Sequence, residues 1–339
     1  MASMSEQGAQ GFPSVMGHQW AVELLQRGVT TGHLSHAYLF VGPTRVGKTT
    51  LALFLAQSLN CLDPQPTPCG QCNACRKIRR GVHPDVRVLD DPSSSIGIEQ
   101  IRELQREMAL SPFEGRWRVI VLCDFQRATQ EAANCLLKTL EEPPPKVVIV
   151  LTAVEAQELL PTIISRCQVF QLRSLPVQQV RQVLESQLGL DASRAELLAR
   201  LSEGRVGWAM AASADESLLR DREKYLVALE QALQQDLATR IHLAQRLARN
   251  AAALPGVFEL WQSWWRDLLL AKSGNTDSLT NVDRKAAALN EAQRYTLDEI
   301  VSCLKAVQQA AEQVEHNVSP SLAMEVLLMR LPRASVEAA

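Results

Sequence analysis

The sequence predicts an α/β domain built on a parallel sheet, followed by a small helical region and a longer all-helical region. Five short apolar runs alternate with helical patterns before residue 175, and no further strand pattern follows. A glycine-rich loop with a lysine lies between the first apolar run and the helical pattern after it. Strands that alternate with helices, and that are apolar enough to be covered on both faces, are typical of parallel sheets.

The predicted strands are rich in β-branched residues. They span residues 36–42, 86–90, 117–124, 146–152 and 168–174. Between them, residues 98–109 place Ile101, Leu104 and Met108 at helical spacing. A second helix is predicted over 129–142, with Thr129 as its N-cap and the prolines at 143–145 after its end.

The region after residue 175 is predicted to be helical throughout. Short helices broken at Gly189, Asp191 and Gly204 fill residues 177–213, and longer apolar stripes continue from 214 to the end. Trp261, Trp264 and Trp265 share one helical face with leucines. That face favours a core or an interface between helices over a platform for stacking nucleic-acid bases.

Length and composition indicate a globular protein of two or three domains. The chain has 339 residues, of which 46% are hydrophobic and 21% charged, and it contains no apolar run of 18 residues. The N-terminus lacks the basic and apolar segments of a secretory signal, so we expect a cytoplasmic location without membrane contact. The net charge of −2 argues against strong binding of a DNA backbone by this chain alone.

The stretch GPTRVGKTT, residues 42–50, fits the phosphate-binding template G-x-x-x-x-G-K-[ST]. Gly42 and Gly47 allow close approach of the backbone to a polyphosphate, and Lys48 is predicted to contact its β and γ phosphates. Thr49 supplies a hydroxyl for magnesium, and Thr50 beside it is also predicted to bind the nucleotide. The loop therefore predicts a site for ATP and magnesium, while hydrolysis needs further groups.

Hydrolysis requires an aspartate at the end of a later strand and, as a rule, a neighbouring glutamate. After WRVIVL the sequence continues with Cys123, Asp124 and Phe125. In one register Cys123 occupies the aspartate position, and a thiol is a poor magnesium ligand. In the other, Asp124 binds magnesium and Phe125 replaces the glutamate. Either register lacks one of the two acids, so hydrolysis is expected to be impaired.

Four cysteines, Cys61, Cys69, Cys72 and Cys75, fall within fifteen residues. Thiolates at this spacing suit tetrahedral zinc, and four protein ligands leave no position for water, so the predicted zinc site is structural. An iron–sulfur cluster is the competing interpretation, although no redox partner motif accompanies it. A disulfide is disfavoured in the cytoplasm.

The ordered motifs resemble one family over nearly the whole chain, most strongly over 17–175. They include the phosphate loop, the cysteine insert, HPDVRVL at 83–89, EAANCLLKTLEEPPP at 131–145, LLPTIISRCQ at 159–168 and WQSWWRDLLL at 261–270. This set resembles the delta-prime family of bacterial DNA polymerase III clamp-loader subunits, which belong to the AAA+ class.

The resemblance implies a domain organisation and partners. It implies a RecA-like domain over 1–174 with zinc at 61–75, a helical lid over 175–213 and a helical collar for oligomerisation over 214–339. The implied partners are the gamma/tau and delta subunits, with the sliding clamp and primed DNA reached through the assembled complex. The implied role is that of a stator beside an ATP-hydrolysing neighbour.

The resemblance also assigns residues. In the motif Ser165-Arg166-Cys167, Arg166 would act in trans as an arginine finger on the neighbour's ATP. The alternative is an arginine that caps the end of a helix. Trp208 stands where active relatives carry a nucleotide-sensing arginine, and Thr152 ends a strand where a polar γ-phosphate contact is expected.

Two functions from different classes therefore remain. The first is a stator that supplies Arg166 and hydrolyses ATP poorly or not at all. The second is a gamma-type clamp-loader ATPase that uses its own Lys48, Thr49 and Asp124. The intact phosphate loop favours the second, while the incomplete acid pair and Trp208 favour the first.

Overall fold

The computed structural model describes residues 17–63, 68–91, 94–316 and 318–332. The described residues form two compact units. The first contains the residues up to Gln179 together with Gly204–Gly207, and the second contains Val180–Glu203 and the residues from Trp208 onward. The N-terminal leader lies outside the described residues up to Met16.

The first unit is built on a five-stranded parallel sheet, as the sequence predicted. The strands are β1 (Ala37–Val41), β2 (Val86–Leu89), β3 (Arg118–Leu122), β4 (Val147–Ala153) and β5 (Gln168–Gln171). Their order across the sheet is β2-β3-β4-β1-β5. Leu39 of β1 lies opposite Leu151 of β4 on one side and Val169 of β5 on the other. The order changes direction around β1, which in open α/β sheets creates a binding crevice at the carboxyl ends of the strands.

Helices cover both faces of this sheet. They are α1 (Gln19–Thr31), α2 (Lys48–Asn60), α3 (Asn73–Arg79), α4 (Ile98–Met108), α5 (Gln130–Glu141) and α6 (Pro161–Ile164). Tyr38 and Phe40 of β1 belong to the same core as Leu55 of α2, while Leu39 belongs to the core on the opposite face. Thr129 caps α5 as predicted, because its side chain accepts a hydrogen bond from the Ala132 N–H at 3.2 Å.

The second unit is helical. Its helices, counting α7 and α9, which both begin in the first unit, are α7 (Val177–Leu188), α8 (Ala192–Leu201), α9 (Val206–Ala214), α10 (Ser217–Gln234), α11 (Leu237–Ala248), α12 (Leu254–Lys272), α13 (Lys285–Gln293), α14 (Leu297–Glu315) and α15 (Pro320–Arg330). Within the described ranges, no helix is long and apolar enough to cross a membrane. The division of this part into a lid and a collar at residue 213 stays a prediction.

The core of the second unit contains the three tryptophans of α12. Trp261, Trp264 and Trp265 are at most 2% exposed, so they are core residues and offer no platform for stacking bases. The indole N–H of Trp261 donates to the Tyr225 carbonyl at 3.0 Å, which satisfies its polar group. Arg240 of α11 is also buried, and its guanidinium donates to the carbonyls of Leu331 at 2.6 Å and Pro332 at 2.9 Å, after the end of α15.

Candidate nucleotide and metal sites

The phosphate loop connects β1 to α2 at the carboxyl edge of the sheet. Gly42 has a φ of 152°, and a Cβ added there would lie 2.3 Å from the Leu172 carbonyl oxygen, so only glycine fits. Gly47 precedes α2 with a φ of 112°. The sequence thus brings Lys48, Thr49 and Thr50 to the N-terminal turn of α2, where free amides and the helix dipole favour a bound anion.

Lys48 is directed at the phosphate loop itself. Its ammonium group donates to the carbonyls of Gly42 at 2.5 Å and Pro43 at 3.2 Å. Burial lowers the pKa of Lys48, and the charges of Asp124 and Glu158 act in the opposite direction. The ammonium therefore lies within the loop that would hold a phosphate, bonded to carbonyls that a phosphate oxygen could replace.

The residue opposite Thr49 is a cysteine. Cys123 follows the last residue of β3, and its Sγ lies 3.6 Å from the Thr49 Oγ1. Burial raises the pKa of Cys123 to about 11, although the contact with Thr49 lowers it, so the thiol is neutral at physiological pH. Of the two registers that the sequence left open, it is Cys123 that contacts the hydroxyl expected to bind magnesium.

Asp124 lies one residue further along, in a different backbone conformation. It has a φ of 48°, in the left-handed region, and it is half-buried. Its backbone N–H donates to the Thr152 Oγ1 at 2.9 Å. The hydroxyl of Thr152, near the end of β4, is therefore bonded to the turn after β3. The bond therefore joins Thr152, which was expected to contact a γ-phosphate, to Asp124, one of the two residues considered for the acid.

Gly207 closes over the phosphate loop within the first unit. Its N–H donates to the Arg45 carbonyl at 3.2 Å, and an added Cβ would lie 2.7 Å from that oxygen. Arg45 itself has a φ of 61°, which is unusual for a residue other than glycine. Arg45, the third variable residue of the phosphate-loop template, is thus hydrogen-bonded to the segment Gly204–Gly207. Trp208 follows this segment in α9 and is half-buried.

Arg166 is the second residue after the end of α6. Its Nη2 donates to Glu141 Oε1 at 2.6 Å, and its Nη1 donates to the Thr162 carbonyl at 3.0 Å. The guanidinium thus caps α6, which was the alternative to a finger, yet its side chain keeps 34% of its surface exposed. Burial raises the pKa of the neighbouring Cys167 to about 12, so that thiol is a neutral packing group.

The four cysteines of the predicted metal site lie together. Their sulfurs are all within 4.8 Å of one another. Among the described residues, this is the group of three or more His, Cys, Asp or Glu side chains that lie close enough together to hold a metal ion. The sulfurs of Cys61 and Cys69 are 3.5 Å apart, and those of Cys61 and Cys72 are 4.0 Å apart. Tetrahedral zinc with its usual Zn–S bond places sulfurs about 3.8 Å apart. The side chains therefore fit a four-coordinate ion.

Backbone amides surround these sulfurs. The N–H groups of Cys69, Cys72 and Cys75 donate to the Sγ atoms of Cys61, Cys69 and Cys72 respectively, at 3.3 to 3.4 Å. Burial alone raises the pKa of Cys72, but hydrogen bonds from the Cys75 and Leu62 backbone and from neighbouring thiols lower it to about 7. The amides thus favour the thiolate, the metal-binding form of cysteine, at Cys72, whereas burial raises the pKa values of Cys61 and Cys75.

Two groups that the sequence did not single out fix the surroundings of the cluster. The Gln57 side chain donates to the Cys75 carbonyl at 2.9 Å, and Arg116 donates to the Cys61 carbonyl at 2.8 Å. Nearby, the buried Asp85 carboxylate accepts the amides of Phe113, Glu114 and Gly115 at 2.6 to 2.8 Å. The HPD motif at 83–85 supplied the only sequence signal for this network.

The parallel sheet and the phosphate loop between β1 and α2 are those of a P-loop nucleotide-binding domain. Comparison with known proteins gives the family. The sequence profile of the family described as "DNA polymerase III, delta subunit" matches residues 17–176, and the profile described as "DNA polymerase III, delta subunit, C terminal" matches residues 216–332. The delta-prime subunit of DNA polymerase III from Bacillus subtilis is 30% identical over 314 residues, which cover 91% of this chain and 94% of that protein. The chain belongs to the delta-prime family of DNA polymerase III clamp-loader subunits.

Other relatives match only part of this chain or share a lower sequence identity with it. The tau subunit of DNA polymerase III from Escherichia coli is 37% identical over 201 residues, or 58% of this chain, and the match spans only 31% of that protein's length. Among solved structures, a gamma subunit-related protein from Thermotoga maritima covers 91% of this chain and 98% of its own, with 19% identity and a TM-score of 0.45.

Proposed function

We propose that this chain is the stator of a clamp loader: it supplies Arg166 in trans to the ATP of a neighbouring subunit and hydrolyses ATP poorly in its own site. Poor hydrolysis in its own site is supported by the neutral Cys123 thiol beside Thr49. Magnesium prefers oxygen ligands and disfavours a protonated thiol. A nucleotide bound at Gly42, Gly47, Lys48 and Thr49 would meet the Cys123 thiol beside Thr49, in the position where a carboxylate would organise the metal.

Arg166 supports the first half of the proposal. Its guanidinium is partly exposed and follows a short helix, so a partner subunit can reach it. A planar and permanently charged guanidinium can offset negative charge that develops on a transferring γ-phosphoryl group, and such fingers raise the rate by about 10³ to 10⁵. The role assigned to this chain is to position that charge, while the bond is broken in the neighbour's site.

The proposed partners follow from the family. We assign the gamma/tau and delta subunits as neighbours in a ring, and the sliding clamp and primed DNA as partners of the assembled complex, in the cytoplasm. The helical lid over 175–213 and the collar over 214–339 are assigned to ring assembly. The net charge of −2 is consistent with DNA contact that belongs to the whole ring, since this chain alone has no positive excess.

The cluster of Cys61, Cys69, Cys72 and Cys75 is assigned to zinc in a structural role. Four thiol ligands with amide donors leave no open position for substrate, as in structural zinc sites. When bound, the ion would crosslink the end of α2 to the start of α3 and supply no chemistry to the nucleotide site. Elemental analysis of protein purified under reducing conditions tests this, because one zinc per chain supports it and iron or no metal contradicts it.

A gamma-type ATPase is the second candidate function. The specific observation in its favour is the intact loop, with Lys48 and Thr49 at the start of α2. Steady-state ATP hydrolysis by the purified chain, with and without primed DNA, separates the two functions. The stator assignment predicts a rate indistinguishable from that of the Lys48→Ala variant. Robust turnover that Lys48→Ala abolishes would establish the ATPase instead.

A further inference from the structure

The end of α5 carries an acidic pair that neither the nucleotide site nor the metal site uses. Glu141 is the last residue of α5, Glu142 is its C-cap, and three prolines follow. A negative charge at this position faces the negative end of the helix dipole, so it destabilises the helix. Helix stability therefore gives no reason for glutamate at position 141.

Glu141 does have a partner, and it is Arg166. The Glu141 Oε1 accepts a charge-assisted hydrogen bond from the Arg166 Nη2 at 2.6 Å, between residues 25 positions apart. The Arg166 Nη1 donates to the Thr162 carbonyl at 3.0 Å and to the Ser165 Oγ at 3.4 Å. Glu142, by contrast, forms no ion pair with any described residue.

These contacts fix the guanidinium without using all of its donors. Arginine has five N–H groups, and three of those of Arg166 have acceptors among the described residues. The remaining two are left for a ligand. Because a free arginine side chain loses considerable rotational freedom when it binds an anion, a guanidinium that is already held loses less.

We propose that Glu141 is a positioning residue for Arg166: its carboxylate holds the guanidinium at the end of α6 in the orientation that meets a nucleotide phosphate on the neighbouring subunit. This inference rests on the proposed function of Arg166. This role involves no proton transfer. The ligand is the terminal phosphate of a nucleoside triphosphate that the partner subunit binds.

The same pair could act in the opposite sense. A carboxylate that neutralises Arg166 could compete with the phosphate and restrain the finger. The two roles predict opposite signs, since removal of a competitor raises the hydrolysis rate and removal of a positioning residue lowers it. Exposed ion pairs contribute little, so a positioning effect of roughly two- to fivefold is expected.

The test uses the clamp loader reconstituted with this chain, and measures ATP hydrolysis with clamp and primed DNA. Four forms of this chain are compared: wild type, Glu141→Ala, Arg166→Ala and the double variant. Glu141→Ala is expected to lower kcat roughly two- to fivefold with KM for ATP unchanged. It should have no further effect in the Arg166→Ala background, because Glu141 acts through Arg166. Glu142→Ala is the matched control and should leave kcat unchanged.

Two further readouts separate positioning from a structural role. The thermal unfolding midpoint of Glu141→Ala should equal or slightly exceed that of the wild type, since an unfavourable charge at the end of α5 is removed. Glu141→Gln keeps a hydrogen-bond acceptor without the charge, so its kcat should fall between those of the wild type and Glu141→Ala.

The outcomes also separate this inference from the proposed function. If Arg166→Ala leaves the rate of the assembled loader unchanged, the finger itself is wrong. If Arg166→Ala lowers the rate while Glu141→Ala leaves it unchanged or raises it, the finger stands and positioning by Glu141 is overturned. A loss from Glu141→Ala that persists in the Arg166→Ala background also overturns it.

Discussion

The Cys123→Asp variant should bind magnesium-ATP more tightly than the wild-type chain and should be less stable without ligand. Cys123 is 7% exposed, and its sulfur lies 3.6 Å from the Thr49 Oγ1. An aspartate there places a carboxylate beside the hydroxyl expected to bind magnesium. Without the ion, the new charge is buried and repelled by Asp90 and Asp124, while Lys48 attracts it.

The size of both effects follows from this geometry. Unit charges about 4 Å apart attract by about 4 kcal/mol at an effective dielectric constant of about 20. If desolvation of the carboxylate offsets half of that, a net gain of about 2 kcal/mol remains, which is about thirtyfold in affinity. In the absence of ligand, the buried charge should cost about 1–3 kcal/mol, and the unfolding midpoint should fall by about 2–4 °C for each kcal/mol.

Titration with a fluorescent ATP analogue, in magnesium or in a chelator, measures the first effect, and thermal unfolding measures the second. Cys123→Asn is the matched control, because it introduces a polar group of the same shape as aspartate without the charge. The magnesium-dependent gain should be seen with aspartate alone. Equal affinities of the two variants in magnesium, or a gain that survives the chelator, would refute the assignment of Cys123 to the metal position.

Three further predictions concern the framework around the sites. Asp85→Asn should lower the free energy of unfolding by about 2–4 kcal/mol at pH 7, because the buried carboxylate accepts several hydrogen bonds. Although burial alone raises it, these bonds and the Arg118 guanidinium hold the pKa of Asp85 below the ordinary aspartate value of 3.8. The stabilisation by the Asp85 carboxylate is therefore fully present above pH 3.8 and is lost as the pH falls through the lower pKa of the folded state. Denaturant unfolding at acid pH should accordingly show a smaller difference in the free energy of unfolding between variant and wild type. Cys75→Ser should abolish stoichiometric metal in elemental analysis, whereas Cys135→Ser, outside the cluster, should retain it. Arg240→Met should lower the unfolding free energy of the second unit by about 2–4 kcal/mol, since it leaves carbonyls after α15 without their donor, and the exposed Arg249→Met should change it by less than about 0.5 kcal/mol.

The sheet and the cysteine cluster could be predicted because their signals are local. Each strand is a short apolar run, and the Thr129 cap lies beside the residues it binds. The cysteine spacing likewise predicted the four-cysteine cluster, which Cys61 joins from the end of α2. Local patterns of this kind need no knowledge of distant parts of the chain.

The register at Cys123 could not be decided from the sequence. A slip of one residue turns every side chain of a strand to the other face, and both registers left one acid in place. The contact that distinguishes them joins Thr49 to Cys123, which are 74 positions apart. The pair of Glu141 and Arg166 escaped prediction for the same reason, although a glutamate at the end of a helix is unfavourable and could have served as a signal.

In the proposed function, this chain contributes Arg166 to catalysis on a neighbour's nucleotide, and its own phosphate loop has no hydrolytic role. The most direct measurement compares ATP hydrolysis by reconstituted clamp loaders in which only this chain carries Lys48→Ala or Arg166→Ala. We expect the loader with Lys48→Ala to keep the wild-type rate and the loader with Arg166→Ala to lose the turnover of the adjacent site. The reverse result, a loss of ATP hydrolysis with Lys48→Ala and full activity with Arg166→Ala, would show that this chain hydrolyses ATP itself and supplies no arginine finger.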